Sequence, residues 1–273
     1  MNIAGLSDRG LVLLGCGKMG SALLEGWLAS GLPPSAVSVL EPTPSPRLEG
    51  LAREGLRLND FPPAPPAIAV VAVKPQTMGA ALPRLAAYGG GGTLFLSIAA
   101  GTPIRAFEAA LGPGTPVVRA MPNTPAAIGR GITALVGNAA ADEAAMDAAQ
   151  ALMAAVGETA RLDSEAQMDA VTAVSGSGPA YVFLLIEALA AAGEAEGLDR
   201  DLALRLARAT IAGAGRLAES ADEDPARLRV NVTSPGGTTA AALEVLMDPH
   251  EGLPALLSRA VAAAAERSRA LSG

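Results

Sequence analysis

Short apolar runs alternate with amphipathic stretches over roughly the first 160 residues of this chain. LVLLG, residues 11–15, is apolar throughout and too short for a helix, which predicts a buried strand. Residues 18–30 then follow a helical period and stop at Gly31 and the Pro33-Pro34 pair. VSVLE, 37–41, predicts a second strand, and the turn PTPSP leads into a helix over about 45–54. AIAVVAV, 67–73, is the clearest strand signal, bounded by Pro65-Pro66 and Pro75. TLFLSIA (93–99), PVVRA (116–120) and GITALVG (131–137) predict further strands, and a helix over 142–156 precedes ETARL.

Near residue 163 the pattern changes. Beyond it no strand signal stands out, and helical stretches are expected at about 164–174, 179–196, 199–219, 237–247 and 251–270. Strands alternating with helices indicate βαβ units on a parallel sheet. The expected architecture is therefore an α/β domain over 1–163 followed by an all-α domain over 164–273. Ala, Leu and Val cover the whole circumference of 179–192, more than a solvent-facing helix carries, so the helical half is expected to self-associate.

Composition narrows the function classes. The net charge of −7 and the lack of a basic cluster exclude a nucleic-acid surface, which needs cations to neutralise phosphates. A single cysteine, Cys16, allows no internal disulfide and no Cys-rich metal cluster, so a reducing cytoplasm is the expected compartment. LVLLGC has the look of a lipoprotein cleavage site. The preceding MNIAGLSDRG, however, carries Asp8 and Arg9 and lacks the apolar core of a signal peptide. No uncharged apolar run of 18 residues suggests a membrane span.

The stretch GCGKMG, residues 15–20, fits G-x-G-x-x-G, a weak signal alone. Here it follows a strand, opens a helix and precedes an acidic strand end, Glu41, 21 residues after Gly20. In that setting Gly15 permits the tight turn, Gly17 lets backbone approach a pyrophosphate, and Gly20 allows close helix–sheet packing. The ordinary alternative is a strand–helix turn. Cys16 inside the loop reads as a small filler rather than a redox thiol.

The sequence lacks the usual proton-transfer groups. His250, the only histidine, lies in the turn DPHEGLP, and neither H-E-x-x-H nor G-x-S-x-G occurs. A protonated imine suits such a site, because it is already electrophilic and carries its own proton. VTSPGGTTAAALEVL, 232–246, offers Ser234, Thr238 and Thr239 around two glycines at a helix start, where N–H groups can receive a carboxylate. A capped helix without a ligand reads the same residues equally well.

GCGKMGSALLEG, VAVKPQ, SIAAGTPI, MPNTPAAIGRG, AVSGSGPAYVF and VTSPGGTTAAALEVL occur in the order and spacing of pyrroline-5-carboxylate reductases, which the chain resembles from about residue 10 onward. The resemblance implies a Rossmann-like N-terminal domain and a helical dimerisation domain, with dimers often forming rings. It also implies reduction of L-1-pyrroline-5-carboxylate to L-proline by NADH or NADPH. Carried over, the cofactor lies along Gly15, Cys16, Gly17, Lys18, Met19 and Gly20, and against Ala72, Val73, Lys74, Pro75, Ile98, Ala99 and Ala100. Asn59 matches a position contacting the adenosine ribose, and Asn123 holds its loop against the nicotinamide. The substrate carboxylate falls to Ser234 and the N–H groups around Gly236, Gly237 and Thr238, and the imine nitrogen to Thr239. Asp222 stands where many relatives carry Glu, and the end of the second strand is Glu41-Pro42 rather than small polar and basic residues. Glu41 favours NADH, with Arg47 the nearby cation available to offset it. A β-hydroxyacid dehydrogenase, the main rival, would place a lysine in AVSGSGPAYVFLLIEALAAAGE, and none is there.

Overall fold

The computed structural model describes residues 9–272, so most of the reading of the N-terminal ten residues falls outside it. Eight strands form one sheet: β1 Leu11–Leu14, β2 Val37–Leu40, β3 Arg57–Leu58, β4 Ile68–Val71, β5 Leu94–Ser97, β6 Val117–Met121, β7 Gly131–Gly137 and β8 Gly157–Arg161. Their order is β3-β2-β1-β4-β5-β6-β7-β8. Five helices accompany them: α1 Lys18–Ala29, α2 Pro46–Arg53, α3 Pro75–Ala81, α4 Ile104–Leu111 and α5 Glu143–Ala154.

Both faces of the sheet are covered, which is why β1, β2, β4 and β5 are buried along their whole length. Leu23 and Trp27 of α1, Leu48 and Leu51 of α2, and Leu152 and Met153 of α5 share one core cluster. Met78 of α3, Ile104, Phe107 and Leu111 of α4, and Met168 share the other. The fully buried Trp27 indole donates to the Leu152 carbonyl at 2.9 Å.

The sheet departs from the all-parallel expectation at one place. β6 and β7 pair antiparallel. Residues 122–130 between them hold only a 3₁₀ turn, Thr124–Ile128, and a parallel return needs a crossover of a dozen or more residues. β3, α3 and α4 are elements the apolar pattern did not announce. β3 has two residues, too few for a period, and α3 follows directly from Pro75 at its first turn.

The chain divides into two compact units at Ser177 rather than at Asp163, and residues from Ala265 onward belong with the first unit. The reason lies in residues 164–176. This segment, with α6 Met168–Val171 and a π turn over Thr172–Gly176, buries Met168 and Ala173. Glu165 accepts from the buried Arg119 guanidinium at 2.8 Å and from the Ile104 N–H at 2.9 Å. Asp169 accepts from the Ser268 hydroxyl at 2.6 Å. Sequence periodicity records none of these ties.

The second unit is helical: α7 Gly178–Ala195, α8 Arg200–Ser220, α9 Pro225–Asn231, α10 Thr238–Leu246 and the first part of α11 Leu253–Ser272. α9 was not expected, although Asp224-Pro225 marks its start; the Asp224 carboxylate accepts from the Arg227 N–H at 2.8 Å. Among its described residues, the buried apolar side chains are Ala190, Ala203 and Ala207, all of them small. Phe183, Leu184, Leu217, Val232 and Val245 are each more than half exposed. The helical segment Glu165–Ala195 is by length and composition apolar enough to cross a membrane, although its longest uncharged stretch, 170–186, is shorter than the run of 18 sought in the sequence. Unlike a membrane span it is broken by the π turn and by Pro179, and its first part is packed in the sheet unit. The apolar surface of α7 calls for a protein cover.

Sedimentation at micromolar concentration is expected to show a dimer or larger species. Phe183→Glu combined with Leu184→Glu should shift the mass toward the monomer and abolish activity with it. A monomer of full activity would reject the requirement.

Candidate active site

The sheet register assembles one edge of the first unit. Leu14 lies opposite both Leu40 and Val71, and Val71 lies opposite Ser97. The residues that follow these strands, Gly15, Glu41, Ala72 and Ile98, therefore emerge side by side. That edge flanks the β1–β4 boundary where the strand order reverses, the usual ligand crevice of such sheets.

Each glycine of the loop has a separate steric reason. Gly15 adopts φ +89°, and a Cβ there would sit 2.9 Å from Val73 Cγ1 and 3.0 Å from the Ala72 backbone. A Cβ on Gly20 would strike the Gly15 carbonyl oxygen at 2.6 Å. A Cβ on Gly17 would meet nothing within 4 Å. Gly17 is thus free of any internal packing demand, and its open side leaves room for a phosphate group. α1 begins immediately after it, with no side chain capping its first turn. Its first N–H groups are available to an anion. The Ser21 hydroxyl, a contact that the glycine spacing does not reveal, lies 3.0 Å from the Cys16 carbonyl and 2.8 Å from that of Gly17. Burial raises the Cys16 thiol pKa; the Ser21 hydrogen bond opposes it, and the Glu41 and Glu25 carboxylates add smaller upward contributions. The thiol thus stays protonated and unreactive at neutral pH, as a filler residue should.

Glu41, one residue past β2, turns its carboxylate onto the loop. One oxygen accepts from the Cys16 N–H at 2.7 Å and the other from the Thr43 N–H at 3.1 Å. Asn59 binds the Glu41 backbone with both ends of its amide, each at 2.9 Å. Glu41 also lines a cavity of about 480 Å³ together with Gly15, Gly17, Val73, Lys74 and Arg84. Arg47 is not the nearby cation the sequence suggested. It forms a two-bond pair with Glu25 of α1, at 2.7 and 3.0 Å. Lys74 and Arg84 are the cations of the cavity lining, and the Arg84 guanidinium lies 5.7 Å from the Phe61 ring centroid. Arg84 is 43 residues from Glu41 in sequence, and only the fold brings it there.

The remaining expected cofactor residues are distributed around this edge. Lys18 is exposed on α1 and Met19 is half-buried against the core. Pro75 opens α3 and lines a different hollow, about 670 Å³, between α3 and α4. That hollow is larger, yet it holds no part of the glycine loop and is walled mainly by Ala, Pro and Leu. Ile98 and Ala99 pack into the cores beyond β5, and Ala100 is exposed beside them. Asn123 accepts from the Ile132 N–H at 3.0 Å, which ties the loop after β6 to β7.

In the second unit, α10 begins at Gly237 without a side-chain cap. Gly236 takes φ +69°, and the Gly237 N–H closes the turn on the Ser234 carbonyl at 3.0 Å. That N–H, expected to receive a ligand, is therefore spent within the turn. The first helical bond runs from Ala241 to Gly237, so the N–H groups of Thr238, Thr239 and Ala240 precede it and are available for a carboxylate. Thr238 is exposed and Thr239 half-buried. His250 lies exposed in the turn before α11, its N–H donated to Asp248 at 2.8 Å.

Comparison with known proteins now decides the family. Residues 165–271 match the family model described as pyrroline-5-carboxylate reductase dimerisation. Residues 11–101 match one described as NADP oxidoreductase, coenzyme F420-dependent. The chain is 42% identical to the pyrroline-5-carboxylate reductase of Pseudomonas aeruginosa over 270 residues, 98% of each chain. The chain belongs to the pyrroline-5-carboxylate reductase family. The Coxiella burnetii pyrroline-5-carboxylate reductase structure superposes with a TM-score of 0.90 at 33% identity, covering 97% of this chain and 99% of that one. The Plasmodium falciparum pyrroline carboxylate reductase, solved with NADP bound, gives 0.82 at 30% identity, covering 98% and 100%. The dimerisation match accounts for the exposed apolar helices of this reductase as a surface for self-association.

Gly17→Ala is expected to leave the melting temperature nearly unchanged and to weaken NADH binding about tenfold, some 1.4 kcal/mol. Gly20→Ala should instead destabilise the fold by about 1–3 kcal/mol, as overpacking does. Thermal unfolding and nucleotide fluorescence titration separate the two, and unchanged NADH affinity in Gly17→Ala would refute the assignment of its open side.

Proposed function

We propose that this reductase acts on L-1-pyrroline-5-carboxylate with the substrate carboxylate at the N-terminus of α10 and the nucleotide along the glycine loop, giving L-proline. The observation that carries the substrate half is the uncapped α10 start, where three N–H groups and the Ser234 hydroxyl surround a glycine turn. Family membership supplies the reaction, reduction of a C=N bond. The nicotinamide, when bound, supplies the hydride.

The chain's own residues then have distinct tasks. The N–H groups of Thr238, Thr239 and Ala240, with the positive end of the α10 dipole, hold the carboxylate. The Thr239 hydroxyl accepts a hydrogen bond from the protonated imine nitrogen and fixes the face of the ring. As the imine carbon gains the hydride, the nitrogen keeps its proton and becomes the amine of proline. No side chain need abstract a proton, in keeping with a single histidine held in an exposed turn. Asn123, tied to β7, steadies the loop beside the nicotinamide position. The working enzyme is a dimer or a ring of dimers, in a reducing cytoplasm that suits its single half-buried cysteine.

Glu41 supports NADH as the preferred cofactor. A carboxylate at this place accepts hydrogen bonds from the ribose hydroxyls of NADH, whereas a 2′-phosphate would bring like charge against it. At 4 Å and an effective dielectric near 20, that repulsion is about 4 kcal/mol per pair of unit charges. Lys74 and Arg84 offset part of it, but both are exposed, while Glu41 is held in place by two backbone N–H groups.

Thr239→Ala is expected to lower kcat/KM about ten- to a hundredfold, the worth of one hydrogen bond to a charged group, about 1.5–3 kcal/mol. Thr238→Ala should cost less, because its N–H survives. Equal and negligible effects would overturn the assignment. For the cofactor, wild-type enzyme should favour NADH in kcat/KM and Glu41→Ser should narrow or reverse the ratio. A tenfold preference for NADPH that Glu41→Ser leaves untouched would sink it.

A further inference from the structure

Asn59 is the one non-glycine residue at positive φ among the described residues, at +57°. It follows the two-residue strand β3, and its own N–H donates to the Val39 carbonyl at 2.8 Å. Its side chain then performs the next step of the ladder. The amide oxygen accepts from the Glu41 N–H and the amide nitrogen donates to the Glu41 carbonyl, each at 2.9 Å. Glu41 lies beyond the end of β2, where β3 has no further residue to pair with it. Asn59 supplies both missing partners.

Glu41 is thereby fixed at two places. Asn59 holds its backbone, and the N–H groups of Cys16 and Thr43 hold its carboxylate. Asparagine combines the properties this position needs. It tolerates the left-handed region better than most residues, and it carries a donor and an acceptor on one short planar group. Glycine keeps the conformation but offers neither bond, and serine offers one hydroxyl.

We infer that Asn59 is a positioning residue for cofactor discrimination, which acts on selectivity by holding the Glu41 backbone so that its carboxylate stays at the glycine loop. The inference rests on the reading of Glu41 as the residue that favours NADH.

A double-mutant cycle tests it on the full-length enzyme, with the ratio of kcat/KM for NADH to that for NADPH as readout. A merely structural loss lowers both values together and leaves the ratio unmoved. Asn59→Gly, which retains the backbone conformation, should reduce the ratio at least fivefold in the native background. Added to Glu41→Ser, it should change the ratio by less than twofold. Should Asn59→Gly fail to fold, Asn59→Ser serves in the same cycle and should give a smaller shift that again vanishes with Glu41→Ser. A shift of equal size in both backgrounds would show that Asn59 acts on selectivity independently of Glu41 and would overturn the inference, as would no shift in the native background. Glu41→Ser alone separates the two levels. If it leaves the ratio unchanged, the reading of Glu41 fails and the inference falls with it; if it moves the ratio while Asn59→Gly does not, only the inference fails.

Discussion

The cofactor edge depends on a single backbone hydrogen bond, from the Gly15 N–H to the Leu40 carbonyl at 2.9 Å. It forms because Gly15 enters the left-handed region, where its missing Cβ spares the backbone and side chain at the end of β4. This bond draws the chain leaving β1 toward β2 and sets the Cys16 N–H toward the carboxylate of Glu41. The same turn directs its carbonyl at Gly20, and α1 can start there only because Gly20 also lacks a side chain. Two glycines are thus fixed by internal packing, and the third, Gly17, is left open on the outer side.

The helical unit follows a different logic. Its internal contacts are made by alanines, which permit close helix approach but bury little area each. The large apolar side chains lie on the outside of the unit, where an isolated domain would hold them in water. A monomer has no means to recover that area, so stability and self-association are the same problem for this part of the chain. The membrane-like composition of 165–195 has the same origin: a helix packed by other protein on several sides carries as much apolar surface as one packed by lipid.

What the sequence disclosed and what it withheld follow from the range of the forces involved. Strands such as Ile68–Val71 were legible because burial on both faces writes an unbroken apolar run between prolines. The glycine loop was legible because its demands fall at fixed spacing: steric exclusion at Gly15 and Gly20, and an open side at Gly17. The antiparallel β6–β7 pair was not, since loop length decides it and both strands look alike from their composition. The ties of Glu165 and Asp169, which keep 164–176 with the sheet, span 46, 61 and 99 residues and leave no local mark. In the site, Glu41 was found by its distance from Gly20. The use of the Asn59 amide on the Glu41 backbone, the loss of Arg47 to Glu25 and the approach of Arg84 all required coordinates.

The charges around the cavity differ in how firmly they are held. Lys74 and Arg84 project on long side chains at exposed positions, where solvent and salt screen them and ordering them costs rotamer entropy. Arg84 has a partial restraint in the Phe61 ring, a contact worth about 0.5–1 kcal/mol at an exposed site. Glu41 needs no ordering on binding, because four hydrogen bonds already define its backbone and carboxylate. A preorganised group exerts its full preference on the ligand, whereas a mobile one gives up part of its attraction to become ordered. Two cations therefore do not simply outvote one carboxylate at this edge, and a count of charges in the lining is no measure of how each acts on a bound nucleotide.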